Sequence, residues 1–128
     1  MLLWLETNGV LSSPNFDPKW PYPNNLDAKQ TIQVEEGKAI RIHFTYFHLE
    51  PASRGDADYV AITEGDGSPL ASIRATFNGF GLKDIAEEFV SKTNAVNVLF
   101  HTGPSIHREF YTGWRLIWGE FTGFDFFN

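Results

Sequence analysis

"KAIRIHFTYFHLE", Lys38 to Glu50, decides the fold. Ile40, Ile42, Phe44 and Tyr46 alternate with Arg41, His43 and Thr45, and a period of two places one row of side chains on a core and the other nearer water. β-branched and aromatic residues fit such a pleated, half-buried surface. The stretch predicts a strand with one apolar face. Just before it, "QTIQVEEGK" alternates Ile32 and Val34 with polar residues, and Glu36 and Gly37 offer a turn. The two segments together predict a hairpin.

The same pattern recurs outward along the chain. "DYVAITEGDGSPLASIRATF" sets Val60 and Ile62 in alternation, turns at "EGDGSP" and returns through Leu70, Ser72 and Ile73. "AVNVLFHTG" carries Val96, Val98 and Phe100 on one face, and "FYTGWRLIWGEF" carries Trp114, Leu116 and Trp118. Between them, "LKDIAEEFVSK" spaces Leu82, Ile85, Ala86 and Phe89 as a helix would, which predicts a short helical turn before Glu88 and a strand from Phe89. Short strands separated by turn signals predict an all-β chain of seven or eight strands, folded as an antiparallel two-sheet β-sandwich. The acidic turns are expected to gather at one rim of it.

Composition narrows the function classes. At 128 residues the chain is long enough for one domain with its own core, and its high aromatic content, with twelve phenylalanines, suits sheet-on-sheet packing. A formal charge of −6, with no run of Lys and Arg, argues against nucleic acid as a partner. No cysteine is present, so disulfides, thiolate metal sites and cysteine nucleophiles are excluded. "MLLWLE" has neither a basic start nor a cleavage-site pattern, and no stretch is long and apolar enough for membrane insertion. The four histidines, His43, His48, His101 and His107, show no paired ligand spacing for zinc. No nucleophile elbow, phosphate loop or dinucleotide fingerprint occurs, and the chain reads as a non-enzyme. The last eight residues, "FTGFDFFN", hold four phenylalanines. Residues 1–119 are expected to form the domain and 120–128 an aromatic C-terminal extension.

Near the start, "NGVLSSPNFDPKWPYPNN" crowds four prolines into a segment too long for an ordinary loop. It resembles the opening of CUB domains through Gly9, Leu11, Ser13, Pro14, Asn15, Phe16, Tyr22, Pro23 and Asn25. The resemblance continues through "IRIHFTYFHLE", "DYVAI", "FVSKTNAVNVLFHT" and "GWRLIW", in the family's order and over about residues 8 to 119. It implies a jelly-roll-like sandwich in which the proline-rich segment passes from one sheet to the other. Pro14, Pro18, Pro21 and Pro23 would keep that segment from pairing out of register. Trp20 and Tyr22 would pin it by burial.

The resemblance also implies a function and exposes departures. Family members usually carry two disulfides, where this chain has Ala28 at the second half-cystine position and Gly55 at the third. Many CUB domains bind calcium through three acids. Glu50 and Asp58 match the first two, but the third falls in Phe100-His101-Thr102-Gly103, which offers carbonyls and a hydroxyl without a charge, and Asp56 is the nearest substitute. The candidate metal residues are therefore Glu50, Asp56, Asp58 and Gly103. Arg54, Gly55 and Asp56 spell a tripeptide that can engage integrins on an exposed turn, and with Glu50 they are the candidate protein-binding residues. The expected function is a protein-binding, adhesion-type module of an extracellular or cell-surface protein, its end loops ordered by calcium. A glycan is the alternative ligand, stacked on Trp4, Trp20, Trp114 or Trp118.

Overall fold

The computed structural model describes residues 7–14, 16–17, 19–50, 58–73, 88–104 and 111–122. Among the described residues eight strands follow in order: β1 (Asn8–Ser12), β2 (Asp27–Gln33), β3 (Ala39–His48), β4 (Tyr59–Glu64), β5 (Pro69–Ile73), β6 (Glu88–Val90), β7 (Ala95–His101) and β8 (Gly113–Phe121). They form two four-stranded antiparallel sheets, ordered β1-β8-β3-β6 and β2-β7-β4-β5. The expected all-β sandwich is what the chain adopts. The helical turn expected over Leu82, Ile85 and Ala86 lies outside the described residues; the strand expected from Phe89 is β6.

The core is built by the alternating rows. Ile40, Ile42 and Phe44 from β3, Val60 and Ile62 from β4, Val96, Val98 and Phe100 from β7, and Trp114 and Leu116 from β8 are all buried. Edge-to-face contacts link Phe44, Trp114 and Phe100, with ring centroids 6.0 Å apart at each step. Such contacts add to the hydrophobic gain of burial, which is about 2 kcal/mol or more per large side chain. Tyr22 extends the cluster, 5.2 Å from Phe100. Ala28 lies in register with Phe100 on β7.

Three expectations are corrected. The alternation in β3 breaks where its pairing to β8 shifts register between Phe44 and Tyr46. An extra residue at this bulge turns the following side chains over: Tyr46 is half-buried, and Phe47 and Leu49 continue the core row instead. Second, β2 and β3 are no hairpin. Gly37, at φ +91°, and the Lys38 N–H to Glu35 carbonyl bond at 3.1 Å do make a tight turn. That turn is a corner between sheets, because β2 pairs with β7 while β3 pairs with β8 and β6. Third, the acidic turns do not share a rim. Asp58 immediately precedes β4 and Glu64 ends it, roughly 20 Å apart at the usual rise of an extended chain.

The proline-rich segment crosses from one sheet to the other, as expected, leaving β1 in the first and entering β2 in the second. Its anchors differ from those expected. Tyr22 is buried, but Trp20 is 67% exposed. The segment is held instead by the Ser13 N–H to Trp114 carbonyl bond at 2.9 Å and by Tyr22 N–H to Tyr111 carbonyl at 3.3 Å. Gly113 makes the first of these possible: its φ of +118° suits glycine alone, and a Cβ there would fall 2.2 Å from Ser13 Oγ. Toward the other end, β8 runs through Phe121, whose buried ring lies 4.3 Å beneath the Arg41 guanidinium. The rest of the aromatic extension, from residue 123, lies outside the described residues.

Candidate functional site

One hydroxyl organises the end of the sandwich where β3 stops and β4 starts. Tyr22 arrives on the crossing segment, and its O–H donates to Asp58 Oδ2 at 2.6 Å. The same oxygen accepts the Glu50 backbone N–H at 2.8 Å. Gly103, just past β7, donates its N–H to Asp58 Oδ1 at 2.8 Å. Three distant parts of the sequence meet on one carboxylate that is 3% exposed. Burying a charge requires such partners, and each charge-assisted bond contributes more than a neutral one.

The backbone reinforces this arrangement. Asn25 takes up a left-handed conformation, φ 53°, which asparagine tolerates better than most residues. Its N–H donates to the Gly103 carbonyl at 3.2 Å. Thr102 adds a second clamp: its hydroxyl accepts the Leu26 N–H at 2.8 Å and donates to the Pro23 carbonyl at 2.8 Å. The crossing segment is thus bound to the residues just past β7 through Pro23, Asn25 and Leu26.

Of the residues proposed from sequence, the structure brings Glu50, Asp58 and Gly103 together. Arg54, Gly55 and Asp56 lie outside the described residues. The hydroxyl available near the missing third acid belongs to Thr102, which accepts from the Leu26 N–H and donates to the Pro23 carbonyl. Among the described residues no group of three or more His, Asp or Glu converges as a metal cage. Of the acids named from the sequence, Asp58 contributes its carboxylate here and Glu50 its backbone N–H. Oxygen donors and negative charge suit a hard divalent cation, but the count is below that of a strong calcium site.

Sequence reasoning singled out Tyr22 as a packing residue and missed its place as the hub joining Glu50 to Asp58. The signal available was the phenol itself, since a buried tyrosine must satisfy its O–H. The aromatic platforms also sort differently from expectation. Trp114 is fully buried and Trp118 packs against the core. Trp4 lies outside the described residues, leaving Trp20 as the exposed ring. Among the histidines, His101 Nδ1 lies 2.7 Å from Asp27 Oδ1 and its ring stacks on Tyr59 at 5.1 Å.

Among the described residues no helix is long and apolar enough to cross a membrane. Comparison with known proteins agrees with the architecture. A CUB1-EGF-CUB2 domain of human MASP-1/3 superposes with a TM-score of 0.73 at 23% identity, over 91% of this chain and 42% of that one. The MASP-1 CUB2 domain bound to Ca2+ superposes with a TM-score of 0.66 at 24% identity, over 91% of this chain and 95% of that one. In sequence, zinc metalloproteinase nas-39 of Caenorhabditis elegans is 34% identical over 115 residues, 84% of this chain and 11% of that protein. Cubilin of Homo sapiens is 31% identical over 106 residues, 80% of this chain and 3% of its own length. The chain therefore spans about a tenth or less of these relatives. The CUB domain family model matches residues 4–116, and with that match the chain belongs to the CUB domain family.

Proposed function

We propose that this chain is a protein-binding module of an extracellular or cell-surface protein, and that its working end is the pole built on Glu50, Tyr22, Asp58 and Gly103. CUB domains are non-catalytic modules that mediate protein interactions, and proteinases such as the nas-39 relative carry them beside other domains. The observation that carries the assignment to this pole is the buried Asp58 carboxylate, held by Tyr22 and Gly103 with the Glu50 backbone on the same hydroxyl. Such an arrangement fixes the backbone at Glu50 and Gly103, and with it the loops a cationic partner segment would meet. The exposed Trp20 on the crossing segment adds an aromatic surface of the kind that anchors protein interfaces.

Calcium is the metal this donor set fits. Glu50 and Asp58 would hold it, with Asp56 a further carboxylate two residues before Asp58 in the sequence, and the ion would supply positive charge that orders the acids. A site with few charged ligands belongs to the weak class, with dissociation constants of roughly 10⁻⁴ to 10⁻³ M. The test is thermal unfolding of chelator-treated protein against added calcium. Millimolar binding to the folded state should raise the midpoint by a few degrees at about 10 mM calcium, because tenfold saturation stabilises by about 1.4 kcal/mol. The rise should vanish in Asp58→Asn. A midpoint indifferent to calcium would remove the metal from the proposal.

A further inference from the structure

Asp58 accepts a bond on each of its oxygens, and the two donors ride on separate pieces of chain. The Tyr22 O–H belongs to the crossing segment, and the Gly103 N–H belongs to the residues just past β7. Both reach one carboxylate only while those two pieces keep a fixed spacing. A carboxylate 3% exposed draws little water in place of a donor that slips, so the spacing matters energetically.

Thr102 stands where the two pieces are joined. The Gly103 N–H is part of the peptide that Thr102 begins, so the placement of Thr102 aims this donor at Asp58. Thr102 is 1% exposed, and three bonds tie it to the crossing segment. Its N–H donates to the Leu26 carbonyl at 2.8 Å, its hydroxyl accepts the Leu26 N–H at 2.8 Å, and the same hydroxyl donates to the Pro23 carbonyl at 2.8 Å. A hydroxyl can donate and accept at once, where a valine of similar shape does neither. Tyr22 inherits the position that Pro23 is given. Pro21 and Pro23 each fix their own φ, and Pro23 also restricts Tyr22 before it to extended backbone. A segment pinned at Pro23 therefore leaves the Tyr22 backbone little freedom.

We propose that Thr102 is the positioning residue of this pole: its hydroxyl sets the distance between the Tyr22 and Gly103 donors, so that Asp58 is gripped on both oxygens at once. The role passes through those two donors to the carboxylate, and through the Tyr22 hydroxyl to the Glu50 N–H. It rests on the reading of this pole as the working end for its bearing on partners. The link itself requires neither partner nor metal.

Amide exchange of the chelator-treated 128-residue chain tests it. Thr102→Val and Thr102→Ala remove the hydroxyl, and Thr102→Ser keeps it. Lost stability of any origin speeds exchange of interior β7 amides such as Val96 and Val98, so the readout is exchange at Gly103 and Glu50 relative to those two. Both hydroxyl-free variants should speed Gly103 and Glu50 about 10-fold beyond the change at Val96 and Val98, and Thr102→Ser should hold the parent's ratio. In Asp58→Ala the Gly103 donor has lost its acceptor, and adding Thr102→Val should leave the Gly103 ratio where it is. Equal acceleration of all four amides in the hydroxyl-free variants, or a Gly103 ratio that rises again on the Asp58→Ala background, would overturn the proposal. These ratios are read without calcium, so a midpoint indifferent to the metal removes calcium from the pole and leaves the role of Thr102 standing.

Discussion

The two ends of β4 each bury a carboxylate, and they do opposite things with it. At one end, Glu64 is 5% exposed and accepts Lys92 N–H at 2.9 Å, Thr93 N–H at 3.2 Å and the Thr93 hydroxyl at 2.7 Å. All three donors come from one turn between β6 and β7. The acid works as a cap, replacing the partners that turn would otherwise find in water. At the other end, Asp58 gathers donors from Tyr22 and Gly103, far apart in sequence, and sits beside Glu50. A carboxylate whose donors are one local turn is a structural device. One that joins three loops at a rim shapes a surface. Burial alone does not separate the two; the sequence distance of the partners does.

Replacing each acid should make the contrast quantitative. Glu64→Ala strands three donors at once, and each buried group left without a partner costs about 1–3 kcal/mol. Denaturant unfolding should show a loss of about 3 kcal/mol or more, and this variant should keep whatever calcium response the parent has. Tyr22→Phe keeps the ring packed against Phe100 and removes a single oxygen. Its expected loss is smaller, about 1–2 kcal/mol by the same measurement, yet it should blunt the calcium response that Glu64→Ala leaves intact. If Tyr22→Phe left the response untouched, the hub would be structural too.

The smallest effect belongs to an exposed acid near Glu64. Asp66 accepts from both the Ser68 hydroxyl and the Ser68 N–H, the latter at 2.9 Å, and these bonds hold its carboxyl below the usual carboxylate range. A group whose pKa is depressed in the folded chain contributes stability above its unfolded value, and that contribution is lost as pH falls through the folded value. Ser68→Ala should therefore make stability slightly less dependent on pH below about 4, the ordinary aspartate value. Acid titration of the unfolding midpoint checks this, and an unchanged slope would count against the turn.

How much of this the sequence disclosed differs by level. The strands were legible because period two is a local property: Ile40, Ile42 and Phe44 announce their face without reference to the rest of the chain. Pairing was not. Val34 to Lys38 reads equally well as a hairpin turn or as a corner between sheets, because both need the same tight backbone at Gly37. The resemblance to CUB domains pointed to Glu50 and Asp58, and the Tyr22 hydroxyl links the Glu50 backbone N–H to the Asp58 carboxylate. It could not show that Thr102 spends its hydroxyl on Leu26 and Pro23, nor that Trp20 faces water while Tyr22 turns inward. Those are decisions of three-dimensional packing between segments some 80 residues apart.

One detail of the β1–β8 pairing bears on how the molecule can be handled. The bond from Glu120 N–H to Thr7 carbonyl, 2.7 Å, places the beginning of β1 beside the end of β8. Both lie at the opposite end of the sandwich from Asp58, roughly 25 Å away by the rise of an extended strand. A dye, bead or surface tether attached at Thr7 or Phe121 would leave the Asp58 end unobstructed, and the two attachment points would present the module facing the same way.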